Sequence, residues 1–174
     1  MDLKCSADNK RAKWDLGGQW VTDTQENITR LLNEFNLETY VQFDSGTKVL
    51  DMSGKVYTFA STPNVPYASV LDKQLMISKI NSNAAKISSL KPFENIDFAK
   101  KLDSMNFDQW LFTDSFDDTS KAMLAADYRT FIGLELNQLN ALFGLTYIKS
   151  AGSYERLELS SEGCAQEKKI KGNY

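Results

Sequence analysis

Ile28, Leu31, Leu32 and Phe35 fall at i, i+3, i+4 and i+7, the spacing that puts four apolar side chains on one face of a helix. Asp23 and Glu26 stand ahead of them in capping-box spacing, with Thr22 and Thr24 as competing N-cap residues. Asn36 suits the left-handed position that closes such a helix, because Asn tolerates positive φ better than most non-glycine residues. The pattern then changes. "YVQF", "TKVLDM" and "KVYTF" are short runs rich in β-branched and aromatic residues, separated by "DSG" and "SG". Ser53-Gly54 between the last two reads as a tight hairpin turn.

The stretch "STPNVPY" reads as a linker, since Pro breaks both helix and sheet ladders. Beyond it the pattern is mainly helical. Leu71, Leu75, Ile80, Ala84 and Ile87 recur at helical spacing until Pro92 interrupts. A shorter helix is expected around Asn95 to Leu102, and another carries Phe107, Trp110 and Leu111. Asp117, Asp118 and Thr119 supply an acidic first turn for a helix through Met123, Ala126 and Phe131. Leu139, Leu142, Phe143 and Tyr147 share one side of a further helix that ends at Gly152. "SYERLELSSEGCAQEKKIKGNY" alternates loosely and reads as strand–turn–strand. The sum is an α+β class: a helical layer with small antiparallel β elements. No strand–GxGxxG–helix unit occurs, which excludes a doubly wound nucleotide-binding fold.

Composition narrows the function. The 174 residues make one ordinary domain or a piece of a larger one. With 20 basic and 23 acidic residues the chain carries no electrostatic footprint for nucleic acid. Lys168, Lys169 and Lys171 read as a solvated end. There is no histidine, which excludes Ser-His-Asp and Cys-His nucleophile systems within this chain. Cys5 and Cys164 form no CxxC or zinc pattern, and reduced structural thiols are favoured over a disulfide. There is no signal-peptide core and no apolar run of about 20 residues, so no membrane segment is expected and an intracellular place is favoured over a secreted one.

Three groups of residues could carry chemistry. Gly17-Gly18 form either a plain turn or a backbone surface that a planar cofactor can approach, because no Cβ intervenes. Trp20, Tyr147 and Tyr154 are either core aromatics or pocket walls. Asp114, Asp117 and Asp118 are either helix caps or cation ligands, with caps favoured. Gln166, taken alone, reads as surface.

Several of these stretches together resemble the flavin-containing amine oxidases. "WDLGGQWVTDTQENITRLLNEFNLETY" is similar to their D-L-G-G-x-[WY]-[VI]-G-P-T-Q segment and the helix that ends in L-G-L-E-T-Y. Asp15, Leu16, Gly17, Gly18, Trp20, Val21, Thr24 and Gln25 match, as do Leu37, Glu38, Thr39 and Tyr40. "FDQWL" resembles the family's E-E-W-L helix, and "LTYIKSAGSYERLELSSEGCAQEKKIKG" its S-A-G-G turn, strand and G-G-A-Q-E motif. The departures are Thr22-Asp23 for Gly-Pro, Asn36, Ser153, Cys164 and Asn173 for glycines.

The resemblance implies roles that spacing does not. Gly17, Gly18, Gln19 and Trp20 would face the FAD. Leu157, Leu159 and Gln166 would line the cavity for a small-molecule amine. Residues 1–13 form an N-terminal extension and 14–174 a partial amine oxidase domain. Within it, 14–40 is the flavin-facing loop and helix, 41–60 the hairpin region, 61–152 the helical part of the substrate-binding domain and 153–174 a β segment. The family's glycine-rich FAD unit and its C-terminal active-site region have no counterpart here, so no catalytic residue is assigned. The resemblance therefore implies a fragment or truncated form, inactive alone. The alternative is a non-catalytic interaction module that self-associates through the face a flavin domain would cover.

Overall fold

The computed structural model describes residues 2–4, 11–13, 17–52, 54–60 and 64–171, with side chains from Gly17 onward. Trp14, Asp15, Leu16, Cys5, Ser53 and Gly172–Tyr174 lie outside the described residues, and with them part of the motif evidence. In chain order the elements are β1 (Asp2–Lys4), β2 (Arg11–Lys13), β3 (Trp20–Val21), α1 (Glu26–Glu34), β4 (Thr39–Val41), β5 (Lys48–Met52), β6 (Lys55–Phe59), α2 (Tyr67–Ala84), α3 (Ile96–Asp103), α4 (Phe107–Leu111), α5 (Asp118–Ile132), α6 (Ala141–Ala151), α7 (Tyr154–Glu158) and β7 (Lys168–Ile170). They divide into two units. Unit 1 joins residues 1–44 to 159–174, and unit 2 is the intervening 45–158.

Unit 1 is built on a small antiparallel sheet with β7 between β3 and β4. The lysines of β7 are therefore not a solvated end. Lys168 and Lys169 are half-buried in the central strand. α1 forms where its periodicity predicts, but its start differs. Gln25 is the N-cap, without a side-chain cap bond, and its Oε1 instead accepts the Thr22 N–H at 3.2 Å. Asp23 is drawn away to Lys168, and the Thr22 hydroxyl donates to Glu167, so neither caps the helix. The helix end is as expected. Asn36 has φ 52, and the N–H groups of Leu37 and Asn36 reach the carbonyls of Leu32 and Asn33 at 2.8 and 3.1 Å. That is the Schellman pattern, which satisfies two terminal carbonyls. Of the apolar face only Leu32 is buried; Ile28, Leu31 and Phe35 stay exposed.

Unit 2 opens with the predicted hairpin. Met52 pairs with Lys55, leaving two residues for the turn, and Gly54 takes φ 83 there. The helices that follow pack around α2, which meets α4, α5, α6 and α7. Its buried stripe is Ser69, Asp72, Lys73, Met76, Ile77, Ile80 and Ala84, a helical period whose first turns are polar. Leu71 and Leu75, which match the apolar spacing, lie off this stripe and are about half exposed. The polar start is satisfied locally. Asp72 accepts from the Ser115 hydroxyl at 2.7 Å, from the Ser120 hydroxyl, and from the N–H groups of Phe116 and Asp117. It thus anchors the loop that enters α5.

The other acids have similar duties. Asp117 caps α5 through the Ser120 N–H at 2.8 Å, Asp114 pairs with Lys79 at 2.8 Å, and Asp118 pairs with Lys121 at 3.1 Å. No cluster of metal-ligating side chains occurs among the described residues. Tyr154 and Phe107 are wholly buried with Tyr128 in an aromatic cluster, Tyr128 lying 4.6 Å from Phe107 between centroids. Tyr154 is thus core. Tyr147 is half-buried and donates to the Phe131 carbonyl at 3.2 Å. The strand expected after Gly152 is instead helix α7. Asn81 supplies its side-chain oxygen to the Tyr154 N–H at 2.9 Å, capping a helical first turn, and the buried pair Tyr154 and Leu157 then falls at helical i, i+3 spacing.

α4 and α6 approach so closely that a Cβ at Gly144 would stand 2.5 Å from the Phe107 ring and 3.1 Å from Leu139. Gly144→Ala should lower stability: overpacking costs about 1–3 kcal/mol, against roughly 1 kcal/mol that Ala gains over Gly in a helix. A fall in the urea midpoint is the readout, and a rise would contradict the packing.

Asp72 gives a pH test. Burial acts to raise its carboxyl, but the bonds from Ser120, Ser115, Phe116 and Asp117 outweigh this and hold it below the ordinary aspartate value. Its contribution is therefore present above that ordinary value and lost as pH falls through the lowered one. Asp72→Asn should remove this acid dependence and cost about 2 kcal/mol at neutral pH, measured by urea unfolding.

Candidate functional site

Of the expected site residues, the sheet of unit 1 carries Trp20, with residues 17–19 just before β3 and Gln166 just before β7. Trp20 and Tyr40 both pair with Lys169, from opposite sides of β7. Directly opposed residues share a sheet face, so Trp20, Lys169 and Tyr40 form one row across the three strands. Lys169 Nζ lies 5.4 Å from the centre of the Trp20 ring, within cation–π range. The Trp20 indole N–H donates to Gln42 Oε1 at 3.2 Å, and Gln42 Nε2 donates to the Phe43 carbonyl at 2.9 Å. The indole is therefore held at its polar edge while its ring remains 42% exposed. Neither Gln42 nor Lys169 carries a signal in the sequence. Only the register of β7 brings them to Trp20.

Gly17 and Gly18 precede this row and are both exposed. A Cβ built at either meets no described atom within 4 Å, and neither is among the described glycines with left-handed φ. The two usual reasons for a glycine, a forbidden φ or a crowded backbone, are thus not met among the described residues. Gln19 is half-buried.

Gln166 lies in two back-to-back turns before β7, closed by Cys164 N–H to the Ser161 carbonyl at 3.0 Å and Glu167 N–H to the Cys164 carbonyl at 3.2 Å. Trp20 and Gln166 thus belong to the same unit, on strand β3 and on the turn that feeds its partner β7. Leu159 is in unit 1 and 41% exposed, whereas Leu157 is in unit 2, buried on α7. The alternation that would set these two leucines on one strand face does not apply, because the first is helical.

Unit 2 holds a second concentration of charge that sequence spacing did not suggest. Lys73 on α2 bridges Asp127 on α5 at 2.9 Å and Glu158 on α7 at 2.8 Å, and the Tyr154 hydroxyl also donates to Asp127. Burial acts to lower the Lys73 ammonium, but Asp127 and Glu158 outweigh it and hold it above the ordinary lysine value. Burial and Asp127 push the Tyr154 phenol up as well. A lysine so held is a cation at neutral pH and no nucleophile. The cluster joins three helices.

The architecture recurs in solved amine oxidases. Putrescine oxidase bound to putrescine aligns with a TM-score of 0.82 at 22% identity, over 97% of this chain and 37% of that one. Cyclohexylamine oxidase from Brevibacterium oxydans aligns with a TM-score of 0.81 at 19% identity, over 91% and 35%. The fold is thus one that amine-oxidising enzymes contain. A profile of the flavin containing amine oxidoreductases matches residues 6–161, and the chain belongs to that family. Probable flavin-containing monoamine oxidase A of Dictyostelium discoideum is 28% identical over 162 residues, which cover 92% of this chain and 35% of that protein. The flavin-containing amine oxidase B of Bos taurus is 29% identical over 167 residues, covering 94% and 32%. The chain spans about a third of the length of these curated relatives. No described helix is long and apolar enough to cross a membrane.

Replacing Lys73 by Met should cost about 3 kcal/mol. This is the low end for breaking a buried pair, because Glu158 keeps 30% of its side-chain exposure. The raised lysine contributes fully below its ordinary value, and the contribution is lost only as pH rises through the raised one. Urea midpoints of the wild type and Lys73→Met should accordingly differ by a constant amount from pH 6 to 9 and converge only in strong alkali.

Proposed function

We propose that this chain works as part of a flavin-dependent amine oxidase, an oxidoreductase acting on amine C–N bonds, and does not oxidise amines alone. Family membership supports the chemistry. The short span relative to the relatives supports the dependence on further structure. The observation that carries the site is the open backbone at Gly17-Gly18, which meets no neighbour among the described residues and suits a flat group laid against it. When bound, a flavin supplies the two-electron oxidation, with oxygen as final acceptor. The chain's own residues would shape its surroundings. Gly17, Gly18 and Gln19 would offer backbone to the FAD, and Trp20 an aromatic wall. By the same resemblance Gln166 would orient the amine through its amide, and Leu159 would keep water from the cavity. The helical layer of unit 2 would correspond to part of the family's substrate-binding domain.

A second reading, a non-catalytic interaction module derived from the family, is favoured by exposed apolar side chains in unit 1. Phe35, Val41 and Phe43 are each more than 60% exposed. Such a group is typical of surfaces that meet a partner, and self-association would cover it.

Two measurements separate these outcomes. Purified chain incubated with FAD and then desalted should retain no flavin and release no peroxide with a monoamine or a diamine. Retained flavin with amine-dependent peroxide would overturn the proposed dependence. Light scattering across a concentration series should show mass rising with concentration if the exposed group mediates self-association, and Phe43→Ser should reduce that rise.

A further inference from the structure

Beyond the last strand pair the β3–β7 contact passes from backbone to side chains. Trp20 faces Lys169 and Val21 faces Lys168, and the same register sets Thr22 opposite Glu167. Both are buried, Thr22 at 4% and Glu167 at 6% exposure. The Thr22 hydroxyl donates to Glu167 Oε2 at 3.0 Å, and the Gly163 N–H donates to the same oxygen at 3.0 Å. Lys168 Nζ lies 3.4 Å from Glu167 Oε1 and also reaches Asp23. On its other side the Glu167 carbonyl accepts the Gln42 N–H at 2.7 Å. Gln42 in turn holds the Trp20 indole. A single residue thus touches the turn that carries Gln166, the turn after Trp20, and the side chain's own hydrogen-bond partner.

The two departures from the resembled Gly-Pro pair fall at this point. Thr22 supplies the hydroxyl that bonds Glu167, and Asp23 the carboxylate that holds Lys168. Gly-Pro would offer neither group, so both departures are used by the Glu167-Lys168 pair.

We propose that Glu167 is a positioning residue of the candidate cofactor-facing site, setting Trp20 and Gln166 in register through its carboxylate and its carbonyl. The proposal rests on the reading of Gly17–Trp20 as the segment that faces a flavin. It assigns Glu167 no contact with cofactor or amine. A carboxylate bound by an N–H, a hydroxyl and an ammonium loses its bonds when protonated. Burial acts to raise the Glu167 carboxyl, but the Gly163 N–H, Thr22 and Lys168 outweigh it and hold it below the ordinary glutamate value. The clamp is therefore intact above that value and released as pH falls through the lowered one. Other titratable groups on the packed elements are Asp23 just past β3, Lys168, Lys169 and Tyr40 on the sheet, Glu38 and Lys171 paired at its far end, Asp44 bonded to Ser160, Glu162 and the Cys164 thiol in the same turns, and Glu26, Arg30 and Glu34 on α1.

The test uses the whole chain without cofactor. The ¹⁵N-labelled indole resonance of Trp20, assigned with W20F, is followed from neutral to acid pH in wild type, E167Q, T22V and E162Q. The expected result is an acid transition in wild type and E162Q with its midpoint below the ordinary glutamate range. T22V should raise that midpoint and E167Q should abolish the transition. The Trp110 indole in unit 2 should not share it. A flat Trp20 response, a transition that survives in E167Q, a T22V midpoint equal to wild type, or a transition shared by Trp110 would each overturn the proposal. If E167Q does not fold, the T22V midpoint decides by the same rule. Weak contact that is lost on desalting would still shift a resonance, so failure of the flavin reading has a different signature: a large excess of FAD would leave the wild-type Trp20 resonance in place, whatever its pH behaviour.

Discussion

Strand β7 is the constraint on which unit 1 depends. β3 and β4 are two- and three-residue strands, and both pair with β7 rather than with each other. Strands this short have no independent stability, since even a two-stranded hairpin is marginal in water. The row of Trp20, Lys169 and Tyr40 exists only because β7 lies between its neighbours. So does the bond from Gln42 to Glu167. The pieces joined this way are far apart in sequence, and unit 2 is inserted between them.

Within unit 2 the organising element is α2, and its polar half is as important as its apolar half. Asp72 fixes the entry to α5, while Lys73 draws α5 and α7 toward the same helix. Further along, Met76, Ile77 and Ile80 fill the apolar interior. Buried ionic groups of this kind are weak contributors to net stability but costly to leave unpaired, which fixes the arrangement of the helices more than it strengthens it. The apolar aromatic cluster of Phe107, Tyr128 and Tyr154 supplies the burial that the ionic group does not.

Helix existence was legible in α1, α5 and α6, but the buried face was not: in α6 Leu139 precedes the helix and Phe143 is exposed, while Leu142, Leu145 and Ile148 are buried. Asn36, Asp117 and Gly152 took the end positions their chemistry predicts. What failed was anything set by distant polar partners. The capping box at Asp23 was not formed, because Lys168 and Glu167, more than 140 residues away, drew its residues elsewhere. The core face of α2 was misjudged through Leu71 and Leu75, since buried Ser69, Asp72 and Lys73 look like surface in a hydropathy pattern. Of the lysines near the C-terminus, Lys171 is exposed as a solvated end predicts, while Lys168 and Lys169 are half-buried in β7. In the candidate site, Gly17-Gly18 and Trp20 were visible as a motif. Gln42, Lys169 and Glu167 were not, because their roles arise from strand register.

The placement of β7 also governs the order in which the molecule is completed during synthesis. Residues 17–44 emerge long before residue 168, and their edges find no β7 partner until that strand has been made. The helices of unit 2, rich in near-neighbour contacts, are made in between and can close first. The sheet of unit 1 thus closes only once β7 is made, and until then Val41 belongs to a strand segment without its partner.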